Sequence, residues 1–247
     1  MDIKTIYKYD GLCHIEIDFK GKKGIIITRE NESERNGKTI LKTEYFSAFP
    51  DLQNEMLKRG YTLLFVENRN RWGTPEQIDD QYEFVNYISK EMGISNKVIT
   101  IGMSCGGMMS ILLASKYPQI IEGLYLDAPV VNFLSCPARL GNAPDVTDGM
   151  WQEFERAWKM TKAELLTFRG HPLDKLDSLI ENKVRIYMAY GDSDKTVPYE
   201  ENGIAIEKAY KNSGLESYLY IDKKVGVDHH PHGPTDIDFA IRYFEEK

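Results

Sequence analysis

Residues 102–107 are the segment of this chain whose residue types and spacing could most directly do chemistry. They read Gly-Met-Ser-Cys-Gly-Gly and lie between an apolar, strand-like run and a helical pattern. A sharp turn between a strand and a helix holds a serine hydroxyl out of the packed sheet, and a base that takes its proton makes it a nucleophile. The segment therefore predicts Ser104 as the nucleophile of an acyl-transfer reaction.

The base and the orienting acid are expected in loops that follow later strands. Residues 191–198 read Gly-Asp-Ser-Asp-Lys-Thr-Val-Pro, and residues 226–233 read Gly-Val-Asp-His-His-Pro-His-Gly. Each segment follows a predicted strand, and the carboxyl ends of parallel strands meet at one edge of a sheet. Both loops should therefore lie close to Ser104, where a carboxylate, an imidazole and a hydroxyl can form a proton-transfer chain.

Three aspartates are candidates for the acid. Asp194 is our choice, with Asp192 as its competitor in the same loop. One of the two is expected to form the turn by bonding its own backbone. Asp127, at the end of the strand that follows the Ser104 turn, is the third candidate.

Three histidines within four residues supply candidates for the base. His229 is the first after the strand-end turn and is preferred, with His230 as the alternative. The same cluster, which includes His232, contains residue types that bind metal ions. We predict no metal and no cofactor, because no second cluster completes a ligand shell and Ser104 would lose its base.

Oxyanion stabilisation needs two N–H donors aimed at the charge that develops on the acyl oxygen. The backbone amide of Cys105, directly after the nucleophile, is one of them. The second is expected in the loop after an early strand, around Thr43-Glu44-Tyr45. Four aromatic residues either line the pocket or serve ordinary packing: Trp72, Trp151, Trp158 and Tyr199.

Alternating strand and helix patterns predict that an α/β fold carries these loops. The sequence predicts a β-hairpin over 12–19 and 24–28, strands over 61–67, 98–101, 122–128, 184–190 and 217–221, and helices over 51–59, 76–92, 199–213 and 237–244. Such alternation implies a mostly parallel, twisted sheet with helices on both faces.

Residues 132–172 interrupt this alternation between two predicted strands. A loop with several prolines and glycines comes first, and a helix with Trp151, Phe154 and Trp158 on one face follows. We interpret the segment as a small helical cap on a core formed by residues 1–131 and 173–247. A lengthened crossover that only packs on the sheet is the alternative.

The composition limits the class of protein and its partners. The chain has 247 residues, 42% hydrophobic and 28% charged, which suits one α/β domain with a small insertion. A net charge of −7 gives no electrostatic reason to bind nucleic acid or an anionic membrane. Three cysteines and a polar start predict free thiols and a cytoplasmic location. Whether the chain forms a homo-oligomer stays open.

The segments 102–107, 191–198 and 229–233 together resemble the α/β-hydrolase superfamily, and the likeness covers most of the chain. In that superfamily the second aspartate of the string G-D-x-D-x-x-V-P belongs to the catalytic triad, which corresponds to Asp194. The resemblance implies a Ser-Asp-His triad, an α/β-hydrolase fold and no cofactor.

Two further strings, residues 127–130 and 198–202, resemble a bacterial branch of prolyl-oligopeptidase-like hydrolases or esterases that is related to carbohydrate esterases. That branch usually has glycine before its first histidine. This chain has Asp228 there, so the choice between His229 and His230 stays open.

The predicted function is a serine hydrolase that cleaves a small-molecule carboxylic ester, with an acylated carbohydrate as one option. The acyl group would pass through Ser104, with His229 as base and Asp194 as orienting acid. The alternatives are an acyltransferase or small peptidase on the same scaffold, or a non-catalytic binding protein. Nothing in the sequence could form the propeller domain of many prolyl-oligopeptidase-like proteases, which favours an ester over a peptide.

Overall fold

A nine-stranded sheet runs through the part of the chain that the computed structural model describes, residues 1–229 and 233–246. Its strands are β1 (Asp2–Tyr9), β2 (Leu12–Phe19), β3 (Lys22–Arg29), β4 (Thr39–Lys42), β5 (Thr62–Val66), β6 (Val98–Met103), β7 (Ile121–Asp127), β8 (Ile186–Gly191) and β9 (Leu219–Lys224). Their order across the sheet is β1-β2-β3-β5-β4-β6-β7-β8-β9. Strands β4 to β9 run parallel, and β1 to β3 form an antiparallel meander joined to β5. The predicted mostly parallel sheet is confirmed.

Helices cover both faces of this sheet. They are α1 (Asp51–Lys58), α2 (Pro75–Met92), α3 (Cys105–Lys116), α4 (Asp148–Trp158), α5 (Lys162–Leu165), α6 (Leu176–Glu181), α7 (Gly203–Asn212) and α8 (Ile237–Glu245). Helices α1 and α8 share one buried cluster with the sheet, and α2, α3, α6 and α7 pack in the clusters on the opposite face. Short 3-10 turns span Glu32–Glu34, Pro118–Ile120, Pro172–Lys175, Tyr199–Glu201 and Glu216–Tyr218.

The central strands are apolar on both sides. In β4, Ile40 packs in the cluster with α1 and α8, whereas Leu41 packs in the cluster with α2 and α3. Leu63 and Leu64 of β5 divide in the same way. Neighbouring residues of a strand point to opposite faces, so a strand covered by helices on both sides is a continuous apolar run.

Several boundaries differ from the sequence-based expectations. The predicted hairpin corresponds to β2 and β3. Its turn is shorter than predicted, because β3 begins at Lys22. Its two residues, Lys20 and Gly21, both have positive φ angles of 56° and 72°, as a two-residue hairpin turn requires. The last strand begins at Leu219 rather than Ser217, since residues 216–218 form a 3-10 turn.

The helix predicted over 199–213 is interrupted at Asn202. The side-chain oxygen of Asn202 accepts the backbone N–H groups of Val131 and Asn132, at 2.9 and 3.0 Å. These contacts hold the residue outside helical geometry, so that α7 begins only at Gly203. The interruption joins this helix to the start of the segment 132–172.

The segment 132–172 packs its aromatic residues against the loop that follows β5. The ring of Phe154 lies 5.6 Å from that of Trp72 and 4.9 Å from that of Phe133. The Trp158 indole N–H donates to the Trp72 carbonyl at 2.8 Å. These contacts tie α4 to one wall of the cavity described below. In the described ranges, no helix combines the length and the apolar character needed to cross a bilayer.

Candidate active site

Ser104 occupies the turn between β6 and α3. Its φ of 52° is positive, and residues other than glycine rarely adopt such a backbone conformation. The turn depends on close approach of the strand and the helix. A Cβ at position 102 would lie 2.4 Å from the carbonyl oxygen of Gly106, and one at position 107 would lie 2.7 Å from Pro129. The glycines therefore allow the tight turn that places Ser104 on the wall of the cavity described below.

The structure brings Ser104, His229 and Asp194 into one hydrogen-bonded line. His229 Nε2 lies 3.0 Å from Ser104 Oγ, and His229 Nδ1 lies 2.7 Å from Asp194 Oδ2. Because an ionised carboxylate only accepts hydrogen bonds, Nδ1–H donates to Asp194 and Nε2 is left to accept from the serine hydroxyl. All three residues are buried, each 8% exposed.

Asp194 is held ionised by its surroundings. Burial alone would raise the pKa of its carboxyl group, but the hydrogen bond from His229 and two backbone N–H groups hold that pKa below its ordinary value. The two amides belong to Thr196 and Val197, and each donates to Asp194 Oδ1 at 2.8 Å. One carboxylate oxygen thus fixes the loop, while the other faces the imidazole.

Asp192 and Asp127 occupy other positions. Asp192 lies at the surface, where the Gly226 N–H donates to it at 2.7 Å and Lys223 lies 3.2 Å away. The N–H of Gly226 is also the first cause of the lowered pKa of Asp192. Asp192 therefore joins the acid loop to the turn after β9, whereas Asp194 makes the local backbone contacts that were expected of one of the two aspartates.

Asp127 is buried behind the site. Its Oδ2 accepts the Gly233 N–H at 2.6 Å and the Tyr125 hydroxyl at 3.1 Å, and burial raises the pKa of its carboxyl group to about 6. Lys42 lines the same small space, and its ammonium group donates to the Ala48 carbonyl at 2.9 Å. Burial lowers the pKa of Lys42 to about 8.

The loop that contains His229 is anchored at two described residues, His229 and Gly233. Asp228 Oδ1 accepts the backbone N–H of His229 at 2.7 Å and that of Lys195 at 3.1 Å, which joins the histidine loop to the acid loop. Asp127 holds the far end through Gly233. His230, the alternative base, and His232, which the metal hypothesis also requires, lie outside the described residues.

Cys105 begins α3 directly after the serine. The first N–H groups of a helix have no acceptor within it, so the Cys105 amide, next to Ser104, is not used by the hydrogen bonds of α3. Its thiol is buried, and burial raises the thiol pKa to about 11. A thiol with that pKa stays protonated at neutral pH and is a poor nucleophile.

The second oxyanion donor was predicted around residues 43–45. Of these, Tyr45 lines the cavity in front of Ser104. The Thr43 N–H is already bonded to the Ile101 carbonyl at 3.3 Å, and the Tyr45 N–H contacts the Glu44 carboxylate. The Tyr45 hydroxyl contacts Arg71 and the Cys105 thiol, and burial raises its pKa, so it keeps its proton. Tyr45 thus places a neutral O–H beside the nucleophile turn.

A cavity of about 350 Å³ opens in front of the serine, and we call it the Ser104 cavity. The described residues that line it are Tyr45, Ala48, Arg71, Trp72, Met103, Ser104, Cys105, Cys136, Met150, Thr196 and His229. Of the four predicted aromatic residues, Trp72 lies on this wall. Trp151, Trp158 and Tyr199 do not line it; Tyr199, for example, stacks on Tyr190 at 3.7 Å.

Comparison with known proteins identifies the architecture. Residues 59–171 match the α/β hydrolase fold family. The structure is similar to a Bacteroides ovatus protein assigned as a dipeptidyl aminopeptidase IV, with a TM-score of 0.69 and 16% identity over 99% of this chain and 36% of that one. The chain has the α/β-hydrolase fold. The predicted resemblance to the superfamily is thereby confirmed.

Two other solved structures share the α/β-hydrolase fold with this chain. Dipeptidyl peptidase 4 of Porphyromonas gingivalis has a TM-score of 0.67 and 15% identity, over 97% of this chain and 35% of that one. Est1E from Butyrivibrio proteoclasticus has a TM-score of 0.60 and 18% identity, over 94% and 96%. The chain therefore spans about a third of the length of the two peptidases. No curated protein matches its sequence significantly.

Sequence reasoning missed four residues that also line the Ser104 cavity: Ala48, Arg71, Cys136 and Met150. No motif surrounds Arg71; the only available signal is that it follows the buried strand β5. A larger and more apolar groove of about 480 Å³, bounded by Gly73, Leu112 and Trp158 among others, contains neither Ser104 nor His229. Ser104 and His229 therefore face the smaller cavity.

Proposed function

We propose that the protein is a serine hydrolase that cleaves carboxylic esters through an acyl-enzyme on Ser104. The observation that carries this proposal is the line of contacts from Ser104 Oγ to His229 Nε2 and from His229 Nδ1 to Asp194, at 3.0 and 2.7 Å. A buried hydroxyl in a left-handed turn, bonded to an imidazole that a carboxylate orients, is the arrangement that activates a serine.

In the proposed mechanism, the Ser104 oxygen attacks the acyl carbon while His229 Nε2 takes the hydroxyl proton. His229 then returns this proton to the departing alcohol, which leaves the acyl group on Ser104. Asp194 keeps Nδ1 protonated and stabilises the imidazolium that forms in between. A water molecule, activated by the same histidine, attacks the acyl-enzyme, and the carboxylic acid is released.

The oxyanion would be stabilised from two sides. The Cys105 amide at the start of α3 supplies one donor, and the helix N-terminus favours negative charge there. We assign the second donor to the Tyr45 hydroxyl, since the Thr43 and Tyr45 amides contact other acceptors. Arg71 contacts the Tyr45 hydroxyl as a donor, so the Tyr45 O–H stays available to the oxyanion or to the Cys105 thiol.

Labelling with a fluorophosphonate probe tests the nucleophile. We expect stoichiometric modification of Ser104, identified by peptide mass spectrometry, and turnover of para-nitrophenyl acetate. Ser104→Ala should lose both, while Ser110→Ala, a buried serine within α3, should keep the label. A folded protein that the probe does not modify would contradict the proposal and favour a non-catalytic binding protein.

Peptide hydrolysis is the second candidate function, because the structure is similar to those of two peptidases. Aminoacyl para-nitroanilides compared with the matching para-nitrophenyl esters would decide between amides and esters. Product analysis with added alcohols would reveal an acyltransferase, because the acyl group would then appear on the acceptor rather than as free acid. Acetyl, butyryl, feruloyl and sugar esters would define the acyl and alcohol preferences.

The remaining parts of the proposal concern organisation and setting. We propose that residues 132–172 act as a cap on a core of residues 1–131 and 173–247, and α4 supports this through its contacts with the cavity wall at Trp72. We propose a cytoplasmic protein whose partner is a small-molecule ester, with no metal or cofactor in the reaction. Cys13, Cys105 and Cys136 are free thiols, in keeping with a reducing compartment.

A further inference from the structure

Arg71 lies between the Ser104 cavity and a second groove. It lines the Ser104 cavity together with Ser104 and His229. On its other side it lines what we call the arginine groove, formed by Arg69, Asn70, Arg71, Glu153, Arg156 and Ala157. Among the described residues that line the Ser104 cavity, none apart from Arg71 carries a permanent charge, and none carries a carboxylate. Arg71 is therefore the permanently charged side chain in the described lining of this cavity.

The guanidinium of Arg71 has more donors than its protein partners use. Nε and Nη2 both reach a single oxygen, Oε2 of Glu153, at 2.8 Å, and the Tyr45 hydroxyl takes a further contact. A guanidinium has five N–H groups in a planar fork. Two of them are therefore left over among the described contacts, and the side chain is one-third exposed.

The arginine groove adds positive charge on the outer side. Three arginines and one glutamate line it, in a chain whose net charge is −7. Arg69 also lies 3.4 Å from Glu76, whereas Arg156 has no carboxylate of the described residues within ion-pair distance. A local excess of one sign beside a reactive group raises the local concentration of substrates of the opposite sign.

Building on the proposed function, we propose that the ester cleaved at Ser104 carries a carboxylate, which Arg71 binds at the boundary of the Ser104 cavity and the arginine groove. Guanidinium and carboxylate match in geometry, and a second carboxylate can share an arginine whose first partner occupies one edge. Glu153 keeps the guanidinium oriented, and Arg156 extends the positive surface for the rest of an anionic substrate.

The competing explanation is structural: the Arg71–Glu153 pair would only tie the loop after β5 to α4. The two explanations predict different effects of an Arg71 substitution on the turnover of neutral esters. A structural role changes the turnover of charged and neutral esters alike, whereas binding of a carboxylate changes their ratio.

The experiment therefore uses matched pairs of substrates. The monoester para-nitrophenyl hydrogen adipate is compared with its methyl ester, which removes a carboxylate from the acyl side. The ester para-acetoxybenzoate is compared with its methyl ester, which removes a carboxylate from the alcohol side. The measured quantity is the ratio of kcat/KM for the charged and the neutral member of each pair. We expect a ratio above one for at least one pair, which also identifies the side of the ester that faces Arg71.

Variants of the two partners separate the explanations. Arg71→Met should lower the ratio by roughly ten- to a hundredfold, the range of a lost charge-assisted hydrogen bond. Glu153→Gln breaks the same ion pair but keeps the guanidinium, and it should maintain or raise the ratio. Arg156→Ala should lower the ratio by a smaller factor. Equal losses for charged and neutral esters in Arg71→Met, or no preference in the unaltered protein, would overturn the inference.

A binding measurement keeps this inference separate from the proposed function. Calorimetric titration of Ser104→Ala with the adipate monoester and its methyl ester requires no turnover. Tighter binding of the charged ester, lost on combination with Arg71→Met, would support the carboxylate site even if the protein hydrolysed neither ester. Equal affinity for both compounds would reject the site, whatever the outcome of the labelling experiment.

Discussion

The two sides of the Ser104 cavity are built in different ways. On one side, Asp194 and His229 are held by backbone hydrogen bonds, by each other and by Asp228. On the other side, Tyr45 and Arg71 come from loops after β4 and β5, and their positions depend on side-chain contacts with α3 and α4. The side with Asp194 and His229 is held by hydrogen bonds within and between two loops, whereas the side with Tyr45 and Arg71 depends on side-chain contacts with helices α3 and α4. Mutations on the two sides should therefore differ in how strongly they lower kcat and in whether the loss depends on the substrate.

The largest effect is expected from the acid. Asp194→Asn should lower kcat by about a thousand- to ten-thousandfold, because an amide in this position no longer fixes the imidazole tautomer. The matched control is Asp192→Asn, two residues away at the surface, which should change kcat little. Steady-state kinetics with para-nitrophenyl acetate measures both. A large loss in Asp192→Asn instead would reverse the assignment of the acid.

The substrate side should respond through Tyr45. If its hydroxyl donates to the oxyanion, Tyr45→Phe should lower kcat by about a hundredfold with little change in KM, because the donor acts only on the charge that develops. The control is Tyr190→Phe, a tyrosine that stacks on Tyr199 outside the Ser104 cavity. An unchanged kcat in Tyr45→Phe would transfer the second-donor role to a backbone amide.

The raised pKa of Asp127 can be tested through the free energy of unfolding rather than through the rate of hydrolysis. Its native pKa of about 6 lies above the ordinary value of 3.8, so the stability that comes from its protonated form is present below about pH 4 and is lost as the pH rises through 6. Asp127→Asn mimics the neutral form and should avoid that loss. Its stability relative to the unaltered protein should improve by up to about 3 kcal/mol between pH 4 and 7.

Urea unfolding of both proteins at several pH values measures this difference. The Asn side chain can still accept the Gly233 N–H, so the anchoring of the histidine loop is retained. A difference in stability that does not vary with pH would contradict the raised pKa and show that folding leaves the pKa of Asp127 unchanged.

The smallest effect is expected at Asp228, which bridges the acid and histidine loops. Asp228→Ala removes the acceptor for the His229 and Lys195 amides and should lower kcat roughly tenfold, because the imidazole loses part of its positioning. Asp228→Asn keeps an acceptor oxygen and should recover most of the activity. Equal losses in the two variants would mean that the charge of Asp228, not its acceptor, matters.

The sequence predicted β5, β6, β7 and β8, which are largely buried, because their apolar runs lie between clear turn and helix signals. It gave no indication of β1, whose residues are all exposed and therefore follow no burial pattern. It also missed β4, which is only four residues long yet lies at the centre of the sheet. A strand that short is stabilised by its neighbours on both sides, and that pairing is not visible in its own residues.

Within the candidate site, the sequence by itself predicted the turn at Ser104 and the order of the loops that contain Asp194 and His229. Those features depend on local conformation: glycines beside Ser104 allow the left-handed turn, and each loop directly follows its strand. The sequence also favoured Asp194 over Asp192 and Asp127, but only the tertiary structure shows the contact between Asp194 and His229 and places Tyr45, Trp72 and Arg71 around the Ser104 cavity. Which side chains meet across a cavity depends on how distant elements pack, and no spacing along the chain encodes that.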